Sequence, residues 1–167
     1  MLKLMEIGQV VLSRYEVIDL ICQGGQAILG KATDRQTGDT VVVKQLAMLT
    51  SDSNYDEELA RFKRAAQIGV GHPSVVDPID FGQENGEWYI IMPLIDGPDL
   101  HGYLIGVGGK LPVDQAVSII VETAEALGAA HAKRIVHRDV KPKNILIDQA
   151  GRSYLTDFGI CRKPDEQ

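Results

Sequence analysis

The sequence predicts an α+β fold: an antiparallel sheet of five strands with one helix, followed by a mainly helical portion. Alternating and β-branched stretches fill residues 14–46 and return between residues 75 and 92. One helical stretch that begins in polar residues separates these two groups of strands. A long and almost wholly apolar helical pattern then follows residue 112. We therefore place the predicted boundaries at residues 1–92, 93–96 and 97–167.

The first portion is interpreted from its turn residues and its alternation. The five expected strands cover residues 15–21, 28–32, 40–46, 75–81 and 88–92. Glycines, with asparagine or aspartate, favour turns at residues 24–25, 37–39 and 84–86. The helix is expected from Tyr55 to about Ile68, with its cap among residues 51–54.

The second portion is expected to begin after Pro93. A short helix should end near Leu104, before a glycine-rich break, and a long helix should run over residues 112–132. Its few polar side chains form one narrow stripe, so the helix should have neighbours on most sides. Residues 135–158 return to short strands and turns.

Bulk properties exclude some classes of function. The chain has 167 residues, 44% of them hydrophobic, and a formal charge of -6. An acidic chain argues against nucleic-acid binding, which needs a basic face. No apolar run approaches membrane-spanning length, and Cys22 and Cys161 suggest no disulfide framework. We expect a reduced, cytoplasmic protein without membrane or nucleic-acid partners; a redox role for the two cysteines is a further possibility.

One loop carries the strongest chemical signal. The run His137-Arg-Asp-Val-Lys-Pro-Lys-Asn144 is followed, after a short strand-turn-strand, by Asp157-Phe-Gly. Phosphoryl transfer needs a carboxylate to orient the attacking hydroxyl, a cation near the transferred group and oxygen ligands for magnesium. Asp139, Lys141, Asn144 and Asp157 offer these groups.

This run resembles the catalytic core of the protein kinase family, and the resemblance extends from Tyr15 to Arg162. The lysine two residues after Asp139 makes the chain resemble the serine/threonine branch of the family rather than the tyrosine branch. The sequence as a whole resembles bacterial eukaryotic-like (Hanks-type) kinases. The resemblance implies γ-phosphate transfer from ATP to serine or threonine hydroxyls of proteins, with ATP in the cleft between two lobes. A chance surface run is disfavoured because seven motif positions match in order.

The resemblance also assigns roles to individual residues. Asp139 would be the catalytic base, Lys141 would contact the γ-phosphate, and Asn144 and Asp157 would hold Mg²⁺ or Mn²⁺. Lys44 would pair with the α- and β-phosphates, although an isolated strand lysine is also compatible with an edge facing water. The implied ATP contacts are Gly24, Gly25, Leu29, Val42, Lys44, Met92, Pro93, Ile95, Asp99 and Leu146. Asp99 is equally compatible with a ribose contact and a helix cap.

Two departures from the family pattern stand out. The glutamate that pairs with the strand lysine falls on Ala65 or Lys63 here, and the nearest acid on that face is Glu58. The chain also stops soon after Gly159, so we expect an incomplete helical lobe and an exposed apolar face on the helix at residues 112–132. We therefore expect that the chain forms an oligomer, binds a partner that covers this helix, or is part of a longer protein. The rival function is a nucleotide-binding pseudokinase or scaffold without efficient turnover.

Overall fold

The computed structural model describes residues 4–24 and 27–158, and its contacts divide the chain into two units. The first unit comprises Met1–Gln67 and Pro78–Leu94, and the second comprises Ile68–Asp77 and Ile95–Gln167. Residues 68–77, expected within the predicted segment 1–92, thus belong with the second unit. They do so because Val70 and Val75 are buried in its hydrophobic core.

An antiparallel sheet and one helix form the first unit, as the sequence predicts. The strands are β1 Val10–Val11, β2 Tyr15–Gln23, β3 Ala27–Asp34, β4 Thr40–Leu46, β5 Asp80–Glu84 and β6 Glu87–Pro93, and the helix is α1 Tyr55–Ala66. The sheet order is β1-β2-β3-β4-β6-β5. The one strand beyond the five expected is β1, whose two residues are too few to show the alternation of a strand in the sequence.

Two local predictions in this part of the chain are wrong. The strand expected over residues 75–81 begins only at Asp80, because Val75 instead bridges to Leu155 within the second unit. Asn54 precedes α1 as expected, but its side chain makes no capping hydrogen bond. The backbone of Asn54, at φ -113° and ψ 13°, is outside the extended conformation that a capping residue adopts, so the helix starts without a side-chain cap.

Each face of the sheet is covered by a different segment. On one face Phe62 of α1 packs against Leu46 and Ile90. On the other face Met5 is buried in a larger apolar cluster, and its backbone N–H donates to Oε1 of the fully buried Gln45 at 2.7 Å. The two faces of the sheet are therefore occupied by α1 and by the chain before β1.

The second unit is built on a long helix and a short hairpin. Its elements are α2 Leu100–Gly106, α3 Val113–Ala132, a 3-10 turn Pro142–Asn144, β7 Ile145–Ile147 and β8 Ser153–Leu155. Ile119, Ala126 and Ala130 of α3 pack into one core with Ile147 and Leu155. None of the helices in the described residues is both long enough and apolar enough to cross a membrane.

α3 has an exposed apolar face, as expected from the sequence, and within the described residues it does not have neighbours on most sides. Val113, Val117, Ile120 and Val121 are 76%, 52%, 66% and 47% exposed. They recur at the spacing of one helix face, so they form a continuous apolar stripe on the side away from the hairpin.

Candidate active site

Lys44 lies in the interior of the sheet. Its strand β4 is flanked by β3 and β6, and Lys44 is opposite Leu29 on one side and Ile90 on the other. The side chain is half-buried. The alternative of an edge lysine facing water is therefore wrong.

The register of the sheet brings several of the predicted ATP-binding side chains to one face. Directly opposite residues in adjacent strands point to the same side, and residues two apart along a strand do so as well. Leu29 is opposite Lys44, and Val42 is opposite Met92. Leu29, Val42, Lys44 and Met92 thus share the face on which α1 packs.

The glycine-rich turn lies at one end of this face. The N–H of Gly24 donates to the backbone oxygen of Ala27 at 2.9 Å, which closes the turn between β2 and β3. Gly25, the other predicted glycine contact, lies outside the described residues. Cys22 is exposed and opposite Leu29, so the predicted phosphate-covering turn starts beside an apolar pair.

The remaining predicted ATP contacts are divided between the units. Pro93 is exposed at the end of β6 in the first unit, whereas Ile95 belongs to the second unit. Asp99 caps α2, because its Oδ1 accepts from the N–H of Gly102 at 2.7 Å. Its backbone bridges to Leu146, whose side chain is less buried than those of its two strand neighbours.

No acid of α1 stands at the position where the family pattern places the partner of the strand lysine. Ala65 packs against the cluster of Leu46, Phe62 and Ile90. Glu58 accepts from Nη1 of Arg61 at 2.8 Å. Glu58, the acid that the sequence offers in place of the missing glutamate, is therefore already paired with Arg61.

In the second unit, Asp139 is held by two neighbours on the same loop. Its Oδ2 accepts from Nζ of Lys141 at 2.6 Å and from Nδ2 of Asn144 at 3.0 Å. The hydrogen bond from Lys141, followed by that from Asn144, keeps the pKa of Asp139 below its ordinary value despite partial burial. The carboxylate is therefore ionised and oriented at neutral pH.

Asn144 has an amide whose orientation follows from its contacts. Nδ2 lies 2.8 Å from the backbone oxygen of Asp139 and 3.0 Å from its Oδ2, and both of these oxygens are acceptors. The NH₂ group must therefore face Asp139. The amide oxygen accepts no hydrogen bond from the part of the chain that the structure describes.

Asp157 is brought next to Asn144 by the pairing of β7 with β8. The backbone N–H of Thr156 donates to the oxygen of Asn144 at 3.0 Å, and Asp157 follows directly with a positive φ of 66°. An amide oxygen and an exposed carboxylate are hard donors that suit magnesium. The described residues contain no cluster of three or more His, Cys, Asp or Glu side chains that could hold a metal ion.

His137 has a second role that the sequence did not indicate beyond packing. It is buried against the ring of Phe158, with ring centroids 4.5 Å apart, as expected of a core residue. Its Nδ1 also accepts from the N–H of Asp139 at 3.2 Å, and its Nε2 lies 2.9 Å from the backbone oxygen of Thr156. A carbonyl only accepts, so the ring proton is on Nε2 and the ring ties Asp139 to the residue before Asp157. Because buried polar groups are hydrogen-bonded, the expectation that His137 is a core residue could have indicated that its ring nitrogens have partners.

A sheet with one helix, a carboxylate loop and a short hairpin, in this order along the chain, are the elements of a protein-kinase-like fold. A family model described as protein kinase domain matches residues 15–167. The chain belongs to this family.

Curated relatives are named as serine/threonine-protein kinases. The chain is 34% identical over 165 residues to the probable serine/threonine-protein kinase PknB of Lactococcus lactis, covering 98% of this chain and 26% of the relative. It is 37% identical over 159 residues to PrkC of Bacillus subtilis, covering 94% and 24%. It is 36% identical over 167 residues to PknA of Mycobacterium tuberculosis, covering 95% and 38%. The chain thus spans well under half the length of these relatives.

Proposed function

We propose that this chain supplies the ATP-binding and catalytic-loop portion of a serine/threonine protein kinase. The observation that carries the proposal is the Asp139 carboxylate, which is fixed by Lys141 and by Asn144. Transfer of a phosphoryl group depends mainly on positioning and on charge, and this loop supplies both.

Each residue of the loop has a distinct task in this proposal. Asp139 accepts a hydrogen bond from the attacking hydroxyl and orients it; Lys141 neutralises charge on the transferred group. Asn144 and Asp157 supply oxygen ligands, and bound Mg²⁺ or Mn²⁺ neutralises charge on the phosphates. Lys44 binds the α- and β-phosphates, and Leu29, Val42 and Met92 provide an apolar surface for the adenine.

The remaining ATP contacts are proposed from the family pattern. The backbone of Gly24 and Gly25 covers the phosphates, since glycine offers no side chain to obstruct them. The backbone groups of Pro93 and Ile95 meet the adenine edge, and Leu146 lies against its ring. Asp99 retains a second carboxylate oxygen for a ribose hydroxyl while its Oδ1 caps α2.

Nucleotide binding and turnover can be tested separately. Titration of Mg-ATP should raise the melting temperature, and labelled phosphate should pass to a generic protein substrate. Asp139→Asn keeps the size of the side chain but removes its charge, so transfer should fall by roughly 10² to 10⁴-fold. Asp114→Asn, at an exposed position of α3, is the matched control and should transfer normally. Equal transfer by both variants would refute the proposed role of Asp139.

A second candidate function is nucleotide binding without efficient turnover. It is favoured by α1, which presents Ala65 to the sheet while Glu58 is bonded to Arg61. Stabilisation by Mg-ATP with no labelled product, in the unaltered protein, would support this alternative over the kinase.

We also propose that the protein is cytoplasmic.

The apolar stripe of α3 is, in our proposal, covered in the working protein by a second copy or by a partner. The support is the exposure of Val113, Val117, Ile120 and Val121, which exceeds what an isolated surface helix usually shows. A monodisperse monomer in sedimentation, with no binding of an apolar dye, would contradict the proposal.

A further inference from the structure

Helix α1 has a second attachment to the sheet, one residue after Phe62. The Nζ of Lys63 lies 4.1 Å from the centroid of the Trp88 ring. A cation within about 6 Å of an aromatic ring centroid is attracted to the face of the ring, and tryptophan is the strongest partner. Both side chains are partly buried, so salt screens this attraction less than it would on an open surface. Among residues 4–24 and 27–158, Lys63 forms no ion pair that would compete with the contact.

Aromatic neighbours hold Trp88 in place. Its ring is stacked on that of Phe81, with the centroids 5.3 Å apart and an interplanar angle of 16°. The ring of Phe81 is in turn 6.5 Å from that of Phe62 on α1. Because aromatic pairs at such distances attract each other, the tryptophan is a fixed support for the lysine rather than a mobile surface ring.

Phe62 and Lys63 hold α1 at two points around its circumference. Consecutive residues of a helix are about 100° apart around its axis. A helix held by Phe62 alone could turn about that axis, because apolar packing has no preferred direction. The contact of Lys63 resists this rotation. The two contacts together keep Ala65, which is three residues after Phe62, directed at the sheet.

The sheet residues beneath α1 adjoin Lys44. Ile90 is opposite Lys44 in the register of β4 with β6, and Phe81 is opposite Ile90 in the register of β5 with β6. Directly opposite residues point to the same side of a sheet, so the three form one row beneath the helix. Phe62 and Ala65 belong to the same apolar cluster as Ile90. The position of α1 therefore sets the wall beside the Lys44 side chain.

We propose that Lys63 is a positioning residue for nucleotide binding. Its contact with Trp88 fixes α1, and α1 confines the side chain of Lys44 to conformations that reach the α- and β-phosphates. This inference rests on the proposed kinase function. In the family pattern an acid of this helix holds the strand lysine directly, which Ala65 cannot do. A cation on an aromatic ring fixes the same helix indirectly and needs no carboxylate.

The test uses the fluorescence of Trp88, which is the one tryptophan of the chain. Lys63→Met keeps a long apolar side chain without the charge, and Lys63→Arg keeps a cation. Lys63→Met should change the emission of Trp88 and raise the KM for Mg-ATP on the order of threefold. The kcat should be retained, because the ground state and the transition state lose the same phosphate contact. Lys63→Arg should restore both the emission and the KM.

Two further variants complete the experiment. Lys110→Met makes the same change at an exposed position before α3 and should match the unaltered protein. Trp88→Phe keeps a ring beside Phe81 but attracts a cation less strongly, so it should also raise the KM. The double variant Lys63→Met with Trp88→Phe should raise the KM by less than the product of the two single factors, because both changes weaken one contact.

Three results would overturn the role of Lys63. The first is an unchanged emission in Lys63→Met, and the second is a changed emission with an unchanged KM. The third is a KM in Lys63→Arg as high as that in Lys63→Met, which would show that the cation is not responsible. If the unaltered protein transfers no phosphate, the proposed kinase function is refuted, and the dissociation constant of Mg-ATP replaces the KM in the same comparison. An unaltered protein that binds no Mg-ATP would overturn both.

Discussion

Replacement of Glu122 by alanine would remove the carboxylate that holds the start of β8 against α3. Its Oε2 accepts from both the N–H and the Oγ–H of Ser153, each at 2.6 Å. Ser153 is only 2% exposed, so water has little access to either donor. β8 leads directly to Thr156 and Asp157, so the contact also supports the proposed metal ligands.

The magnitude follows from the donors that would lose their acceptor. A buried donor without a partner costs about 1–3 kcal/mol, and Glu122→Ala leaves two such donors, so the variant should destabilise the fold by roughly 2–6 kcal/mol. Ser153→Ala removes the hydroxyl together with its bond and leaves the N–H satisfied, so it should cost only about 1 kcal/mol. Glu122→Gln retains an acceptor oxygen and should fall between them.

Urea unfolding of the full chain, followed by circular dichroism, measures these differences. Glu125→Ala is the control, because Glu125 is exposed on the same helix, and its effect should stay within about 0.5 kcal/mol. The double variant Glu122→Ala with Ser153→Ala should be less destabilised than the sum of the two single variants, because they remove one shared contact. If Glu122→Ala is no more destabilising than Glu125→Ala, the reasoning is refuted.

Three further predictions concern other parts of the chain. Gly97→Ala should destabilise by several kcal/mol in thermal unfolding, because a Cβ there would lie 1.8 Å from a backbone oxygen of β7, whereas Gly106→Ala has open space and should be tolerated. Burial raises the pKa of Tyr15 to about 12. The neutral Tyr15 should therefore contribute its full stabilisation below about pH 10 and lose it as the pH rises towards 12. If unfolding free energies measured from about pH 8 to 11 show no loss of stability, this prediction is wrong. The hydrogen bond from Lys141 lowers the pKa of Asp139, so its stabilising effect is lost only as pH falls below the ordinary carboxyl range. Lys141→Met should raise that pKa in a carboxyl-carbon NMR titration, and an unchanged titration would contradict this cause.

The catalytic loop was predictable because its residues are consecutive in the sequence. Asp139, Lys141 and Asn144 fall within one short run, so their chemistry is visible before any fold is known. Long helices were also predictable: α3 covers residues 113–132 against an expectation of 112–132. Periodicity is strong over such a length and weak over two residues, which is why β1 was missed.

Other assignments depended on backbone conformations and contacts that only the folded chain shows. Asp99 was compatible with a cap or a ribose contact until its bond to the N–H of Gly102 established the cap. Asn54 has the residue type of a cap and yet caps nothing, because its backbone takes another conformation. Glu122 appeared to be one of several polar residues in a stripe, and only the partner Ser153, 31 residues away, sets it apart.

The sequence by itself determined the family, the order of the elements and the residue types that phosphoryl transfer needs, because each of these is written in local patterns of spacing and side-chain chemistry. Only the tertiary structure decided that Lys44 lies in the interior of a sheet beside Leu29, that His137 ties Asp139 to Thr156, and that residues 68–77 pack with the second unit. These facts depend on strand register and on core packing, which arise from interactions between residues far apart in the chain and leave no local pattern.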